Sequence, residues 1–490
     1  MLGAILLLCL VFSLPCLTFS YLPMTDLPQH EAIVAIMRHM HDPAYGFERY
    51  YDWALDRTLY VFPYFLAVGL SFVMPVRLAL HVTIFVAALS YPLGVLLTLR
   101  ALKKPIILTL LALPLVYNRG FFWGFIHFNL GLGIAFIALS QLVGPWTKNK
   151  GWRVAGLCLL SAFTHVYGLV LLSTYALAWL IAGERQKLLT RVIWILPAAI
   201  AMGCWGIFAA NAPGYGVTEW APFDFRLKEL GNSILGGYKD TSEDFVLCGL
   251  VLVALALSYR GFPLTWRRWL RLGVHSRASY ILMVTNIVAY FLLPVATPTA
   301  KFIHFRHAVM AAMFLPFIIS DVDLAKSRIQ STVLPTILAA VALVNSWWHL
   351  GRFEREAHEF DSILAAISQR ANIAQLTYES KGAIMRTHAY LHFGAYAQAQ
   401  KGGVFAVSFP ILFWNIPLKG RANSGMPDTP KNMEWSPGRF NEYRMGYFYD
   451  TLLVRQNGGQ ARETYLTRPY DLVSTVGSWK LYRRVRANHQ

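Results

Sequence analysis

Residues 59–104 read LYVFPYFLAVGLSFVMPVRLALHVTIFVAALSYPLGVLLTLRALKK, and the fold turns on how much of that stretch crosses a bilayer. Val76 to Leu99 is long enough to span. Leu59 to Pro75, about 17 residues, stands at the lower limit. If both cross, Arg100, Lys103 and Lys104 fall outside, and every later basic loop is inverted against the rule that Lys and Arg stay cytoplasmic. If Leu59 to Pro75 instead lies in the interface or re-enters, the rest of the chain falls into register. Its Tyr60, Phe62, Tyr64 and Phe72, with Pro63 and Pro75, suit an interfacial segment.

In that register the cytoplasmic loops hold Arg100/Lys103/Lys104, Lys148/Lys150/Arg153, Arg185/Lys187/Arg191, the Arg260 to Arg277 cluster and Lys326/Arg328. The expected spans are 1–20, 76–99, 105–117, 120–144, 153–166, 167–183, 192–210, 245–259, 279–294, 307–320 and 332–349. That is about eleven spans, with the C-terminal region outside. Residues 1–20 read as an uncleaved first span, since no Ala-x-Ala site follows.

Composition agrees. The chain is 56% hydrophobic and only 14% charged, where soluble domains carry about 25% charged residues. The net charge of +18 sits mostly in short loops between apolar runs, which argues for membrane orientation and against nucleic acid. The five cysteines fall in or beside apolar segments, with neither a disulfide framework nor zinc spacing.

From about Gly351 no run is long enough to span. Phe353 to Ile373 has helical periodicity. Ala383–Met385, Val404–Phe409, Thr451–Arg455 and Lys480–Val485 are β-type runs, and His388 to Gln400 reads as a helix. The expected fold is therefore an α-helical polytopic membrane protein with a small C-terminal α/β extracytoplasmic domain. Its division is 1–350, a transmembrane module including outer loop 21–58, and 351–490. Lys419 to Gly438, rich in Gly, Pro and Asn, reads as a loop or lid.

The first outer loop, Tyr21 to Thr58, is acidic and amphipathic in a basic protein, with Asp26, Glu31, Asp42, Glu48, Asp52 and Asp56. Charge near hydrocarbon is costly and needs a reason. The loop opens Thr25-Asp26-Leu27-Pro28-Gln29-His30-Glu31. With an N-terminal span, an interfacial aromatic segment, short paired spans and an outer C-terminal domain, it resembles the GT-C superfamily of integral-membrane glycosyltransferases. A second stretch, Trp123-Gly124-Phe125-Ile126-His127-Phe128-Asn129-Leu130-Gly131, is similar to a Gly-Phe-x-Asn-Phe-x-x-Gly pattern of uncharacterised bacterial proteins of this kind. Here His127 stands where Asn is expected.

The resemblance implies transfer of a sugar from a polyprenyl-phosphate donor to an extracytoplasmic glycan, lipid or protein acceptor. It implies an acid early in the first outer loop, which carries over to Asp26, and a second acidic site among Asp224, Glu229, Asp240, Glu243 and Asp244. It also implies, in some members, a divalent cation, Mg or Mn, for which Asp26 is the candidate ligand.

Chemically, an inverting transfer needs a base for the acceptor hydroxyl, and a partly buried carboxylate suits that task. Asp26 could equally be a helix N-cap. Glu31 and His30, about one helical turn on, are candidates for catalysis and for acceptor or metal contact, or an exposed polar face. Lys301, His304 and Arg306, with His307, could hold the donor phosphate or anchor the interface. His127, Asn129 and His165 are candidate substrate contacts or helix–helix hydrogen bonds. Asn118 to Phe128 reads as a cleft lining or an interfacial anchor. His388, Tyr390 and His392 read as domain surface or acceptor contacts. The function this favours is a transferase of the bacterial cytoplasmic membrane. The alternatives are a lipid-linked substrate transporter or flippase, a non-catalytic membrane scaffold, and a ligase or polymerase type with a late catalytic loop.

Overall fold

The computed structural model describes residues 1–183, 185–209, 217–258, 266–319, 328–430, 432–456 and 470–485. Arg260 and Lys326, two expected cytoplasmic cations, lie outside them. The chain forms two compact units. One comprises Met1–Thr18 with Thr83–His349; the other comprises Phe19–Val82 with Leu350–Gln490. The first outer loop thus belongs with the C-terminal region, where the sequence reading counted it with the helical module.

The first unit is helical. Five helical stretches in the described residues are long and apolar enough to cross a membrane: Val76–Ala101, Ile106–Trp123, Ile126–Val143, Leu189–Ala209 and Ser331–Ala366. Leu2–Thr18, Val166–Ala182 and Ile303–Ile318 are shorter apolar helices. By length and composition, then, five stretches among the described residues are candidate spans, which does not confirm the eleven or so that the sequence suggested. Residues 105–117 are not a separate α-helical span. They form two 3-10 segments, Ile106–Leu111 and Leu113–Tyr117, and run on into helix Arg119–Trp123. The break falls at Gly124, whose φ of +89° ends that helix in the left-handed region.

These helices meet through small residues, as expected where hydrocarbon gives no hydrophobic drive between them. A Cβ on Gly133 would lie 1.8 Å from the Ser90 hydroxyl, and one on Gly168 would lie 2.6 Å from the Gly131 carbonyl oxygen. Their outward faces are greasy. Leu189, Ile193, Leu196, Ile200 and Ile207 recur at helical spacing and are all exposed, Ile200 at 64%. An apolar stripe of that length turned outward fits lipid and not water as its solvent.

Lys104, read as a loop cation, has a further task. It is buried, and its ammonium donates to the carbonyls of Phe317 (2.7 Å) and Ile319 (2.6 Å) and to Ser276 Oγ (3.0 Å). Those carbonyls end helix Leu315–Ile318, which would otherwise leave its last acceptors unmet.

The second unit is α/β. Its strands are β1 (Tyr51–Trp53), β2 (Asn372–Thr377), β3 (Val404–Phe405), β4 (Leu418–Gly420), β5 (Thr451–Arg455), β6 (Tyr470–Val476) and β7 (Trp479–Arg484). Five form one mixed sheet in the order β3-β2-β5-β7-β6, with β2 parallel to both β3 and β5. β1 and β4 form a separate antiparallel ribbon that ties the first outer loop to the C-terminal region. Ala383–Met385, read as a strand, is a turn at its first two residues with a lone bridge at Met385. Helix Gly394–Lys401 follows β2 and packs against helix Leu27–Arg38 of the first loop. The latter is not amphipathic in this setting: every residue from Leu27 to Met37 is buried.

Candidate functional site

Helix Leu27–Arg38 begins with Pro28 in its first turn, so Asp26 occupies the N-cap position. Its side chain nevertheless makes no cap hydrogen bond. The carboxylate is turned instead toward His392, with Oδ1 3.6 Å from Nε2, and keeps 18% of its surface open. Desolvation pushes its pKa up to about 8, and the charge of Glu434 adds to the rise. Burial lowers His392 to about 3, helped by His30 and His388. At neutral pH the pair is therefore an uncharged acid beside an uncharged imidazole.

The surroundings come from both halves of the unit. His30, four residues on from Asp26 and about 40° round the helix, pairs its Nδ1 with the Tyr64 hydroxyl at 2.8 Å. Tyr64 feels the Asp26 charge, though burial is the larger cause of its raised pKa. Gln29 is fully buried and fixed to the segment after β3: its amide donates to Val407 O (2.9 Å), and its Oε1 accepts from Phe409 N (3.1 Å). The centre thus lies beyond the carboxyl end of a parallel strand, the edge where open α/β sheets commonly bind ligands. The segment between β4 and Pro437 reaches it through Glu434, and Trp435 packs edge-on against His388 at 4.7 Å.

Glu31 does not share this centre. It lies about 140° from Asp26 round the helix, is 1% exposed, and pairs with Arg77 at 3.0 Å. Burial raises its pKa even against the Arg77 charge. The Arg77 guanidinium also lies over Tyr396 (4.7 Å) and Tyr21 (5.0 Å). That is a built ion pair in a core, not an exposed polar face.

In the helical unit, Arg306 and His307 meet at Tyr167, whose ring lies 5.3 Å from the Arg306 guanidinium and whose hydroxyl lies 3.4 Å from His307 Nε2. At about 100° per residue, successive positions on a helix look in different directions. On helix Ile303–Met313, His304 lies by Tyr290 at 5.6 Å, while His307 Nδ1 meets Asn286 Oδ1 at 2.8 Å. Arg306 sits among the rings of Phe125 (4.8 Å), Tyr167 (5.3 Å) and Phe128 (5.8 Å). Lys301 is exposed, in a bridge with Ala296. His165 is an electrostatic neighbour of Arg306 and His127, and its Nδ1 caps helix Val166–Ala182 by accepting from Tyr167 N.

Asn129 has a local task. Its Oδ1 accepts from Asn118 Nδ2 at 2.9 Å, while Asn118 Oδ1 caps helix Arg119–Trp123. Phe121, Phe122, Trp123 and Phe128 are buried in the unit, so they neither anchor an interface nor line an open cleft. In the later outer loop, Glu243 accepts from Gly237 N and Tyr238 N, and Asp240 pairs with His349 at 2.7 Å. Both brace the turn before helix Ser242–Ser258.

His392, Gln29, Tyr64 and Glu434 complete the Asp26 centre without having been assigned to it from sequence. His392 and Tyr390 are buried, not domain surface. Spacing carried no signal, because 366 positions separate Asp26 from His392 and 408 separate it from Glu434. Among the described residues, no three His, Cys, Asp or Glu side chains are grouped to hold a metal ion. The neighbours of Asp26 offer one further carboxylate, Glu434, beside an imidazole and a phenol, a poor match to the oxygen cage of Mg or Mn. No protein-family model, curated protein or solved structure matches the chain.

Proposed function

We propose that this protein is a membrane glycosyltransferase. It would move a sugar from a polyprenyl-phosphate donor to an extracytoplasmic glycan, lipid or protein acceptor, with inversion, in the bacterial cytoplasmic membrane. The observation that carries the reading is Asp26: a carboxylate at a helix start that caps nothing, sits desolvated beside His392, and holds a pKa of about 8. A side chain used only for capping would be ionised and bound to backbone N–H groups. A base for an alcohol works best with a pKa near the working pH.

In the proposed step the acceptor oxygen attacks the anomeric carbon as its O–H proton passes to the ionised Asp26. The bond from anomeric carbon to phosphate oxygen breaks, and the electron pair leaves with the polyprenyl phosphate. The step runs on Asp26 as base, not as metal ligand.

The test is transfer of radiolabelled sugar from a panel of polyprenyl-phosphate donors by purified, lipid-reconstituted protein, wild type beside Asp26→Asn. Label should leave the donor with wild type alone. Full transfer by Asp26→Asn at normal protein levels would remove Asp26 as the base. Absence of turnover with every donor would favour a transporter or scaffold.

A further inference from the structure

Gln29 is the key to the state of His392. An amide can be placed either way round, but here the backbone decides. Oε1 accepts from Phe409 N at 3.1 Å, and Nε2 donates to Val407 O at 2.9 Å. A flipped amide would set donor against donor and acceptor against acceptor. With Val407 using one Nε2 proton, the second faces His392 Nδ1 at 3.4 Å. That nitrogen must therefore be an acceptor and carry no proton. The imidazole proton is left on Nε2, the nitrogen 3.6 Å from Asp26 Oδ1. Gln29 is fully buried and His392 is 3% exposed, with Phe409 edge-on to the ring at 5.3 Å, so neither side chain has room to choose otherwise.

We infer that Gln29, His392 and Asp26 form a directed relay, in which Gln29 fixes the Nε2–H tautomer of His392 and so turns a donor toward the Asp26 carboxylate, 3.6 Å away and just beyond hydrogen-bond distance. His392 is a positioning residue. Its N–H steadies the ionised form of Asp26 and leaves the other carboxylate oxygen for the incoming proton. The order is the reverse of a serine-protease triad, where a carboxylate orients the histidine. Here an amide orients the histidine, and the histidine orients the carboxylate. A backbone-locked amide is well suited to this, because it is a donor to Nδ1 at every pH.

The role in transfer rests on Asp26 being the base, whereas the tautomer does not, so the two are tested apart. In reconstituted protein with ¹⁵N-labelled histidine, the signal lost in His392→Gln identifies His392. It should report an unprotonated Nδ1 and a protonated Nε2. The Gln29→Glu variant, whose carboxylate can only accept, should reverse that assignment. Wild-type His392 found with its proton on Nδ1, or found doubly protonated at neutral pH, would overturn the inference.

In the transfer assay, His392→Gln keeps an N–H where Nε2 stood and should hold kcat within about tenfold of wild type. His392→Phe keeps the ring without the donor and should lose on the order of 10²-fold in kcat with little change in KM. Equal kcat for the two variants would overturn the relay while leaving Asp26 as base. Loss of the base reading would show separately, as full activity in Asp26→Asn.

Discussion

Removing Arg77 tests whether Glu31 is part of the chemistry or part of the frame. Glu31 is 1% exposed and its partner's side chain 23% exposed, at 3.0 Å. Arg77→Met leaves a buried carboxylate without its counter-charge, which costs about 3–5 kcal/mol when one partner of a buried pair is lost. Partial exposure of Arg77 places the expectation at the low end, near 3 kcal/mol. For a unit of about 200 residues, that is a fall in Tm of roughly 6–12 °C, measured by thermal unfolding in detergent.

The loss should depend on pH, with a definite sign. The folded pKa of Glu31 is raised from its ordinary 4.5 by burial, and loss of Arg77 raises it further. A group raised in the fold contributes most below its unfolded pKa and loses that contribution as pH rises through the folded one. The variant should therefore suffer least near pH 4 and progressively more above it. At the acid end, only the lost packing on Tyr396 and Tyr21 remains, about 1–2 kcal/mol.

Adding Glu31→Gln to Arg77→Met should recover most of the deficit at neutral pH, since removing both charges of a buried pair is far milder than removing one. If Glu31 is frame, the double variant also keeps transfer. A single variant within about 0.5 kcal/mol of wild type, or a deficit that does not change with pH, would refute the ion-pair argument. A stable double variant without transfer would return Glu31 to the chemistry.

The Asp26 carboxyl offers a test that needs no substrate. Its folded pKa is raised from 3.8 to about 8, so wild type should lose stability relative to Asp26→Asn as pH rises through that window, and parallel curves would show that Asp26 is not desolvated. Ile200→Asp, on the outward stripe, should cost about 2.5–3.5 kcal/mol if lipid surrounds that helix, read as insertion efficiency in microsomes; an indifferent outcome would place the helix in water. Lys104→Met should cost about 3 kcal/mol in thermal unfolding through unmet carbonyls, whereas the exposed neighbours Arg100→Gln and Lys103→Gln should fall within about 0.5 kcal/mol of wild type.

What could be read from sequence followed the local physics. The apolar helices, β5 at Thr451–Arg455 and the helix before Gly402 all announce themselves within a few neighbours. β2 did not. Asn372–Thr377 is a central parallel strand buried almost throughout, so it lacks the alternation that marks a half-exposed strand, and it reads as the tail of the preceding helix. Asp26 was legible as an unusual acid at a helix start; its partner was not, because nothing local to His392 distinguishes it from a surface histidine. Charge was the least reliable guide. Lys104 looked like a loop cation, yet it satisfies a helix end, and Arg77, to which no role was assigned, pairs with a buried glutamate.

The second unit draws on two stretches of chain with all of Thr83–His349 between them. At about 5–20 residues per second, a ribosome leaves Phe19–Val82 waiting on the order of tens of seconds before its complement is made. During that interval, helix Leu27–Arg38 has helix Phe62–Leu70 beside it but lacks helix Gly394–Lys401, which covers much of a surface that ends up buried on every side. Such a segment needs shelter, from headgroups or from a holding chaperone, or it is a target for proteases. The delay also acts as quality control. A chain that stops before His392 has Asp26 but neither its imidazole partner nor the Val407 and Phe409 backbone groups that lock Gln29, so such a truncated product cannot assemble the Asp26 centre.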